Sequence, residues 1–143
     1  MLSFINGKLA KVGFVKIDIK LMENKRKIAK YKDLEIIADI GEENEGLGQF
    51  PEPYDYFVAS IGLCSGHYAR EFCIARGIEY KDIAISTEMI KSPDCKDHKR
   101  FKIHLKLPET FPEKYKKALM LTLKSCPVKK TIQANPVFDY ELE

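Results

Sequence analysis

Two cysteines stand where a thiol could do chemistry, and the first is Cys126. It lies directly before Pro127 in "LKSCPVKKTIQ" (123–133), where one helical pattern ends and another begins. If Cys126 caps the second helix, the helix dipole and its free N–H groups favour the thiolate over the thiol. Lys129 and Lys130 add positive charge nearby. A small packing residue at a helix junction would look the same, so packing, a disulfide, a metal ligand and a reactive thiol all stay open.

The second is Cys64, in the middle of the longer helical pattern "ASIGLCSGHYAREF" (59–72). Small residues surround it, although a glycine inside a helix costs about 1 kcal/mol relative to alanine. Gly62 and Gly66 therefore indicate close approach, either by a substrate or by another backbone in tight packing. His67 shares the helical face of Cys64 and could accept a proton. A lone histidine in a helix is more often a surface or core residue.

The other two cysteines and a zinc site are weaker functional candidates. Cys73 falls on the opposite face of the same helix and is predicted to be core, and Cys95 is predicted to be an exposed thiol in a polar hairpin loop. Zinc held by Cys64, His67 and Cys126 matches no known ligand spacing closely, and no CxxC pair occurs. We therefore expect neither a metal nor a cofactor.

Composition indicates a globular protein. The 143 residues are 45% hydrophobic and 31% charged, which suits a single domain over residues 1–143. No signal peptide and no membrane-length apolar run is evident, so we expect a cytoplasmic protein with reduced thiols. A net charge of only +3, without paired aromatic residues of an RNA-binding signature, argues against nucleic acid as a partner.

The predicted elements give an α+β fold. Proline in the first turn and glycine at the end predict a long helix from about Pro53 to Arg76. Thr110 and Glu113 resemble a capping box for a second helix, which runs to about Lys124. A shorter helix starts at Cys126-Pro127. Alternating apolar residues or short strand-like runs predict six strands, in "VKIDIKL", "RKIAKY", "LEIIADI", "DIAISTEMI", "FKIHLKLP" and, at the end, "NPVFDYELE".

Two segments of the chain resemble a known family. The segment "FPEPYDYFVASIGLCSGHYAREFCIARGIEYKDIAI" resembles the helix signature of the osmotically inducible protein C / organic hydroperoxide resistance (OsmC/Ohr) family. The segment "SCPVKKTI" is similar to its second signature, and the two cysteines are 62 positions apart, as in the family. The resemblance covers nearly the whole chain and is strongest over 51–85 and 119–132.

The resemblance implies a fold and a reaction. The fold would have antiparallel sheets around a long central helix in an intertwined homodimer, with Cys64 and Cys126 together in a cleft at the subunit interface. The reaction would be reduction of a small organic hydroperoxide. A Cys64 thiolate would become a sulfenic acid, Cys126 would resolve it as a disulfide, and an external dithiol would reset the enzyme. At least one thiol should then ionise readily.

The chain departs from the hydroperoxide branch near the start of the long helix. There a glutamate follows the helix-opening proline and pairs with an arginine from an N-terminal strand. Tyr54 follows Pro53 here instead. Glu52 and Arg26 are the available substitutes, and together with His67 they are the candidate substrate-binding residues.

The missing glutamate favours a second hypothesis. In it, the same scaffold is a non-enzymatic module that holds an acyl or nucleotide-bearing thioester ligand at the dimer interface. Basic N-terminal strands would contact its phosphates.

Overall fold

The computed structural model describes residues 3–5, 8–10, 15–91 and 99–142, the first two of these segments by their backbone alone. The chain forms two compact units, residues 1–53 and 54–143. That residues 1–143 form a single domain stays a prediction. Cys95 and the polar loop predicted around it lie outside the described residues.

The N-terminal unit consists of antiparallel strands. A hairpin missed from the sequence pairs the first two strands, and the next three form a sheet in the order β3-β4-β5. The strands are β1 (Ser3–Ile5), β2 (Lys8–Ala10), β3 (Asp18–Leu21), β4 (Lys27–Tyr31) and β5 (Leu34–Ala38). β3 is shorter than the strand predicted over 15–21, since pairing with β4 begins at Asp18.

The turns of this sheet place non-glycine residues in the left-handed region. Asn24 and Lys25 have φ of 54° and 60° between β3 and β4, and Lys32 has φ of 54° between β4 and β5. Asparagine tolerates this conformation better than most residues. The turns are tight enough to fix the register, with Leu21 opposite Lys27 and Tyr31 opposite Leu34.

The C-terminal unit packs helices against an antiparallel strand pair. Its elements are α1 (Pro53–Ile74), β6 (Ala84–Lys91), β7 (Lys99–Lys106), α2 (Glu113–Leu123) and α3 (Pro127–Gln133). Along β7 the apolar residues are half-buried and the polar residues between them are exposed, as the alternation predicts. The α+β class, with antiparallel sheets and a long helix, is confirmed.

Proline and glycine delimit α1. The helix starts at Pro53 and ends at Ile74, two residues before the predicted end. Gly77 follows with φ of 64°, and the N–H of Ile78 bonds the carbonyl of Cys73 at 2.9 Å. Only a residue without a Cβ adopts that backbone conformation cheaply, so Gly77 ends the helix as the sequence predicts.

The core of this unit joins α1 to α2. Its buried members are Ala69, Phe72, Cys73, Phe111, Leu119 and Leu123. Cys73 is fully buried, and burial raises its pKa although the charge of Arg76 lowers it. The prediction that Cys73 is a packing residue is confirmed.

The close approach predicted at Gly62 occurs within this unit. A Cβ at Gly62 would lie 2.5 Å from the hydroxyl oxygen of Thr87 in β6, whereas one at Gly66 would lie 3.9 Å from Cδ1 of Ile85. Gly62 therefore lets α1 approach β6 more closely than any other residue could. Gly66 leaves room for an ordinary methyl contact.

Two sequence predictions of secondary structure are wrong. α2 begins at Glu113 with an extended Pro112 as its N-cap and no side-chain cap, so Thr110 forms no capping box. The strand predicted in "NPVFDYELE" is absent, since residues 136–142 have no regular structure and pair with none of the described strands. A strand needs a hydrogen-bonding neighbour, and this segment finds none within the described chain.

Candidate functional site

α1 presents Cys64 at the edge of the buried helix face. Cys64 is half-buried, and the next residue, Ser65, is fully buried. The hydroxyl of Ser65 donates a hydrogen bond to the carbonyl of Ile61 at 2.8 Å, one turn back. The lone pairs of Ser65 Oγ remain able to accept a bond from outside the helix.

α3 presents Cys126. The residue is the N-cap of this helix, with Pro127 in the first turn, as the sequence predicts. Its carbonyl accepts the first intrahelical bond, from the N–H of Lys130 at 3.1 Å. Cys126 is 0% exposed, and its side chain caps no backbone N–H group.

The two thiols are neighbours. Cys64 and Cys126 are both free, and Cys126 is close enough to raise the pKa of Cys64 through its thiol and its charge. The contact brings together residues from two helices that are far apart in the chain. Reduced cysteines that lie this near each other are placed to exchange between a dithiol and a disulfide.

The surroundings of Cys64 act on its acidity in opposite directions. Burial raises the pKa of the Cys64 thiol most, and the hydrogen bond and charge of Cys126 raise it further. The backbone N–H of Val128 and the charge of Lys129 lower it. The net pKa lies above the ordinary value, so in the dithiol state Cys64 is a weaker acid than a free cysteine.

The start of α3 also supplies polar groups to Cys64. Val128 is in the first turn of α3, where backbone N–H groups lack partners within the helix, and its N–H donates to the Cys64 sulfur. Lys129 is half-buried, and its Nζ donates a hydrogen bond to Ser65 Oγ at 3.0 Å. We call Cys64, Ser65, Cys126, Val128 and Lys129 the thiol site.

Tyr68 borders the thiol site one turn along α1, and His67 does not enter it. Burial raises the pKa of Tyr68, and the charges of Cys64 and Cys126 raise it further, so this phenol lies near both sulfurs. His67 is exposed and contacts the ring of Tyr68 edge-on, with the ring centroids 5.6 Å apart. His67 as a substrate-binding residue stays a prediction.

A cavity of about 450 Å³ opens beside Lys129. Its walls combine apolar side chains with two lysines and an amide, from Ile103, Met120, Leu123, Lys124, Lys129 and Gln133. Lys129 therefore borders the cavity as well as Ser65. The cavity has room for a small organic molecule.

The other two candidate residues bond within the N-terminal unit. Arg26 donates to Gln49 and lies 3.6 Å from the buried carboxylate of Asp39. Glu52 accepts a hydrogen bond from the N–H of Gly41 at 2.8 Å. Both contacts stabilise the loop that follows β5, and a substrate-binding role for Arg26 and Glu52 stays a prediction.

Asp39 organises that loop. It accepts hydrogen bonds from the backbone N–H groups of Ile40, Leu47 and Gln49 at 2.8, 3.4 and 3.1 Å. Burial alone would raise the pKa of Asp39, but these three bonds and the charge of Arg26 bring it below its ordinary value. Arg26 thus has a structural partner that the sequence did not reveal.

Within residues 15–91 and 99–142, no three His, Cys, Asp or Glu side chains are arranged to hold a metal ion. No helix in the described part of the chain has the length and apolar character needed to cross a bilayer.

A family model for OsmC-like proteins matches residues 46–141, which include both cysteines and all three helices. The chain belongs to the OsmC-like protein family. The match covers more than half of the sequence. A comparison with curated protein sequences finds no significant match.

Solved structures share the OsmC-like fold at low sequence identity. A Psychrobacter arcticus protein, named for an osmotic stress and detoxification response, is 20% identical with a TM-score of 0.69, over 86% of this chain and 91% of its own. An OsmC-like protein from Mycoplasma pneumoniae is 17% identical with a TM-score of 0.61, over 87% and 90%. An organic hydroperoxide resistance protein OsmC from Legionella pneumophila is 17% identical with a TM-score of 0.57, over 88% and 93%.

Sequence reasoning missed two interactions of the thiol site. It noted the charge of Lys129 and the small residues around Cys64, but not that Lys129 bonds Ser65. It also did not assign the N–H of Val128 to Cys64. The available signal was a lysine within the first turn after Cys-Pro together with a hydroxyl next to the other cysteine.

Proposed function

We propose that this OsmC-like protein is a thiol peroxidase that reduces organic hydroperoxides, with Cys64 as the peroxide-reacting cysteine and Cys126 as the resolving one. The observation that carries the proposal is the proximity of the two free thiols, which are close enough for Cys126 to raise the pKa of Cys64. Cys73, by contrast, packs in the core cluster with Phe72 and Leu119. Family membership and the name of the Legionella pneumophila protein support the same chemistry.

The first step oxidises Cys64. The Cys64 thiol loses its proton to solvent, and the thiolate attacks one oxygen of the hydroperoxide. An S–O bond forms as the O–O bond breaks, which oxidises the sulfur by two electrons and reduces the peroxide by two. The departing alkoxide takes up a proton and leaves as the alcohol, and Cys64 is left as a sulfenic acid.

The second step uses the neighbouring thiol. Cys126 attacks the Cys64 sulfur, forming an S–S bond and releasing water. The contact between the thiols means that this step needs little rearrangement. An external dithiol then reduces the disulfide and is itself oxidised to a disulfide.

The cavity beside Lys129 supports an organic substrate over hydrogen peroxide. Three apolar side chains, Ile103, Met120 and Leu123, form part of its wall. Burial of hydrocarbon against such a wall stabilises binding by about 25 cal/mol per Å². Hydrogen peroxide has no hydrocarbon to bury and gains nothing from this surface.

We also propose that the protein is a homodimer. Apolar side chains of the N-terminal sheet are exposed on β3 and β5, including Ile19, Leu21 and Leu34. Near the C-terminus Val137 and Phe138 are exposed as well. Apolar surface of this kind is typical of an interface. Light scattering coupled to size exclusion at several concentrations tests the proposal, and a monomer at every concentration would contradict it.

The alternative is a binding module for an acyl or thioester ligand. Two observations favour it: the raised pKa of Cys64 and the engagement of Arg26 with Asp39 in the N-terminal unit. Such a module would bind its ligand in the variant that lacks both cysteines and would consume no hydroperoxide.

The deciding experiment measures consumption of an alkyl hydroperoxide with excess dithiothreitol as the reductant. We expect Cys64→Ser to abolish turnover. We expect Cys126→Ser, assayed without dithiothreitol, to give one rapid turnover followed by over-oxidation of Cys64, visible by mass spectrometry. Cys73→Ala is the matched control and is expected to keep wild-type turnover. If the wild type is no faster than the Cys64→Ser/Cys126→Ser double variant, the peroxidase is excluded and the binding module is favoured.

A further inference from the structure

The thiol site contains a cation held by a buried hydroxyl. Lys129 lies in the first turn of α3 and is half-buried. Its ammonium donates to the Oγ of Ser65 at 3.0 Å, and Ser65 is 0% exposed. The Ser65 hydroxyl is itself oriented by its bond to the carbonyl of Ile61. Its acceptor lone pairs are thereby directed away from the helix backbone and towards Lys129.

We propose that Lys129 is the cation that stabilises the anionic sulfur of Cys64, and that Ser65 is the positioning residue that holds Lys129 there. The inference deepens the proposed function and rests on it only insofar as the peroxidase reaction needs a Cys64 thiolate. Lys129 takes no part in proton transfer. Its contribution is a charge placed before the sulfur ionises.

Lys129 supplies the positive charge among the groups that act on Cys64. The titratable groups that interact electrostatically with Cys64 are Tyr68 on α1 and Cys126 and Lys129 at the start of α3. Tyr68 and Cys126 can only become anions, which oppose a second negative charge. Among these described groups, Lys129 alone has a positive charge. Because its side chain is half-buried, salt screens its interaction with Cys64 less than it screens a surface pair.

Other basic residues are placed differently. Arg26, the arginine that the family resemblance suggests, bonds Gln49 and lies beside Asp39 in the N-terminal unit. Lys130 follows Lys129 directly but is exposed. Lys130 therefore has the same charge on the same helix without the contact to Ser65, which makes it a matched control.

The test is the rate at which iodoacetamide alkylates Cys64, followed by peptide mass spectrometry from neutral to alkaline pH. The protein has its native cysteines and is kept reduced and free of oxygen. Lys129→Gln removes the charge while its amide can still donate to Ser65. Lys130→Gln removes the same charge from the exposed neighbour, and Lys129→Arg restores a cation.

We expect Lys129→Gln to slow alkylation of Cys64 near neutral pH by about tenfold and to move the pH profile of alkylation to higher pH. The reason is that a nearby opposite charge changes the ionised fraction of a thiol by about tenfold or more. Lys129→Arg should recover most of the rate, and Lys130→Gln should match the wild type. Equal effects of Lys129→Gln and Lys130→Gln, or no effect of either, would overturn the proposal.

A measurement on the unaltered protein guards against a folding defect in Lys129→Gln. With ¹³C-labelled lysine, the Cε resonance of Lys129 should show an inflection at the pH where Cys64 becomes reactive, and that of Lys130 should not. A Lys129 resonance without this inflection would overturn the proposal. Neither experiment contains a peroxide, so failure here leaves the peroxidase proposal standing, and an inactive peroxidase leaves this one standing.

Discussion

Lys129 and Ser65 join two helices through a single hydrogen bond of 3.0 Å, and Ser65 is the residue next to Cys64. The acceptor is fully buried, so water does not compete for it. A charge-assisted bond in this setting fixes a long side chain that would otherwise sample many rotamers. The same contact therefore links the packing of α3 on α1 to the electrostatics of the thiol site.

Replacement of Ser65 tests the positioning role. Ser65→Ala removes the acceptor, and we expect the Lys129 ammonium to move towards solvent. Alkylation of Cys64 near neutral pH should fall by roughly two- to fivefold, less than in Lys129→Gln, because the loss of a hydrogen bond of about 1 kcal/mol corresponds to that range.

Ser60→Ala is the matched control for this experiment. Ser60 also donates to a carbonyl of its own helix, that of Phe57 at 2.7 Å. It has no bond to Lys129, so its removal should leave the alkylation rate unchanged. If Ser65→Ala and Ser60→Ala slow the alkylation of Cys64 equally, the change arises from the helix and not from the position of Lys129.

Removal of Cys126 should make Cys64 more acidic. Burial raises the pKa of Cys64 most, and the hydrogen bond and charge of Cys126 come next. In Cys126→Ala, Cys64 stays buried but no longer has the neighbouring Cys126 thiol and its charge. The pKa of Cys64 should therefore fall towards its ordinary value. More thiolate is then present at neutral pH, and alkylation of Cys64 should become several times faster.

The measurement is the pH profile of alkylation in Cys126→Ala against the wild type. In both proteins the rate should rise about tenfold per pH unit well below the pKa, because the thiolate is the reactive species. The variant should reach its plateau at lower pH. A plateau at higher pH would mean that Cys126 stabilises the thiolate, contrary to the structure.

The sequence predicts the thiol site only where local rules apply. Cys126 as an N-cap follows from the proline after it, and the end of α1 follows from Gly77. The bond between Lys129 and Ser65 does not follow, since it depends on how two helices meet. Likewise Arg26 looks available in the sequence, because its buried partner Asp39 becomes visible only when the loop after β5 is folded.

The error at the C-terminus has a similar cause. "NPVFDYELE" has strand-like composition, but a strand forms only where another strand offers its edge. The apolar side chains of Val137, Phe138, Tyr140 and Leu142 are exposed instead. Local pattern determines what a segment can form, and the presence of a partner determines whether it does.

The two glycines flanking Cys64 should respond oppositely to alanine. Alanine favours a helix over glycine by about 1 kcal/mol. At Gly66 the new methyl lies 3.9 Å from Ile85, so Gly66→Ala should raise the free energy of unfolding by up to that amount. At Gly62 the methyl lies 2.5 Å from Thr87 Oγ1, so Gly62→Ala should lower it by about 1–2 kcal/mol.

A second substitution isolates the clash. Thr87→Ala removes the hydroxyl and leaves a Cβ at 3.6 Å, which is ordinary contact. The Thr87 hydroxyl is buried and has no hydrogen-bond partner among the described residues, so its loss costs no hydrogen bond there. Urea denaturation of the two single variants and the double variant should show Thr87→Ala rescuing Gly62→Ala. Additive effects would place the cost elsewhere than in this contact.

Asp39 should make the protein sensitive to acid. Its pKa in the folded state lies below the ordinary value that it regains on unfolding, since three backbone bonds and Arg26 outweigh the effect of burial. The ionised carboxylate therefore stabilises the fold fully above that ordinary value. Its contribution is lost as the pH falls through the lowered pKa of the folded state.

Asp39→Asn should lower the free energy of unfolding at neutral pH, because the amide lacks the negative charge that Arg26 and the three N–H groups interact with. The free energy of unfolding should then also fall less steeply below about pH 4 than in the wild type. Asp33→Asn is the control, since it removes the same charge from an exposed turn residue. Urea denaturation across this pH range measures both. A decline as steep in Asp39→Asn as in the wild type would show that the acid sensitivity arises from other carboxylates and that Asp39 contributes none of it.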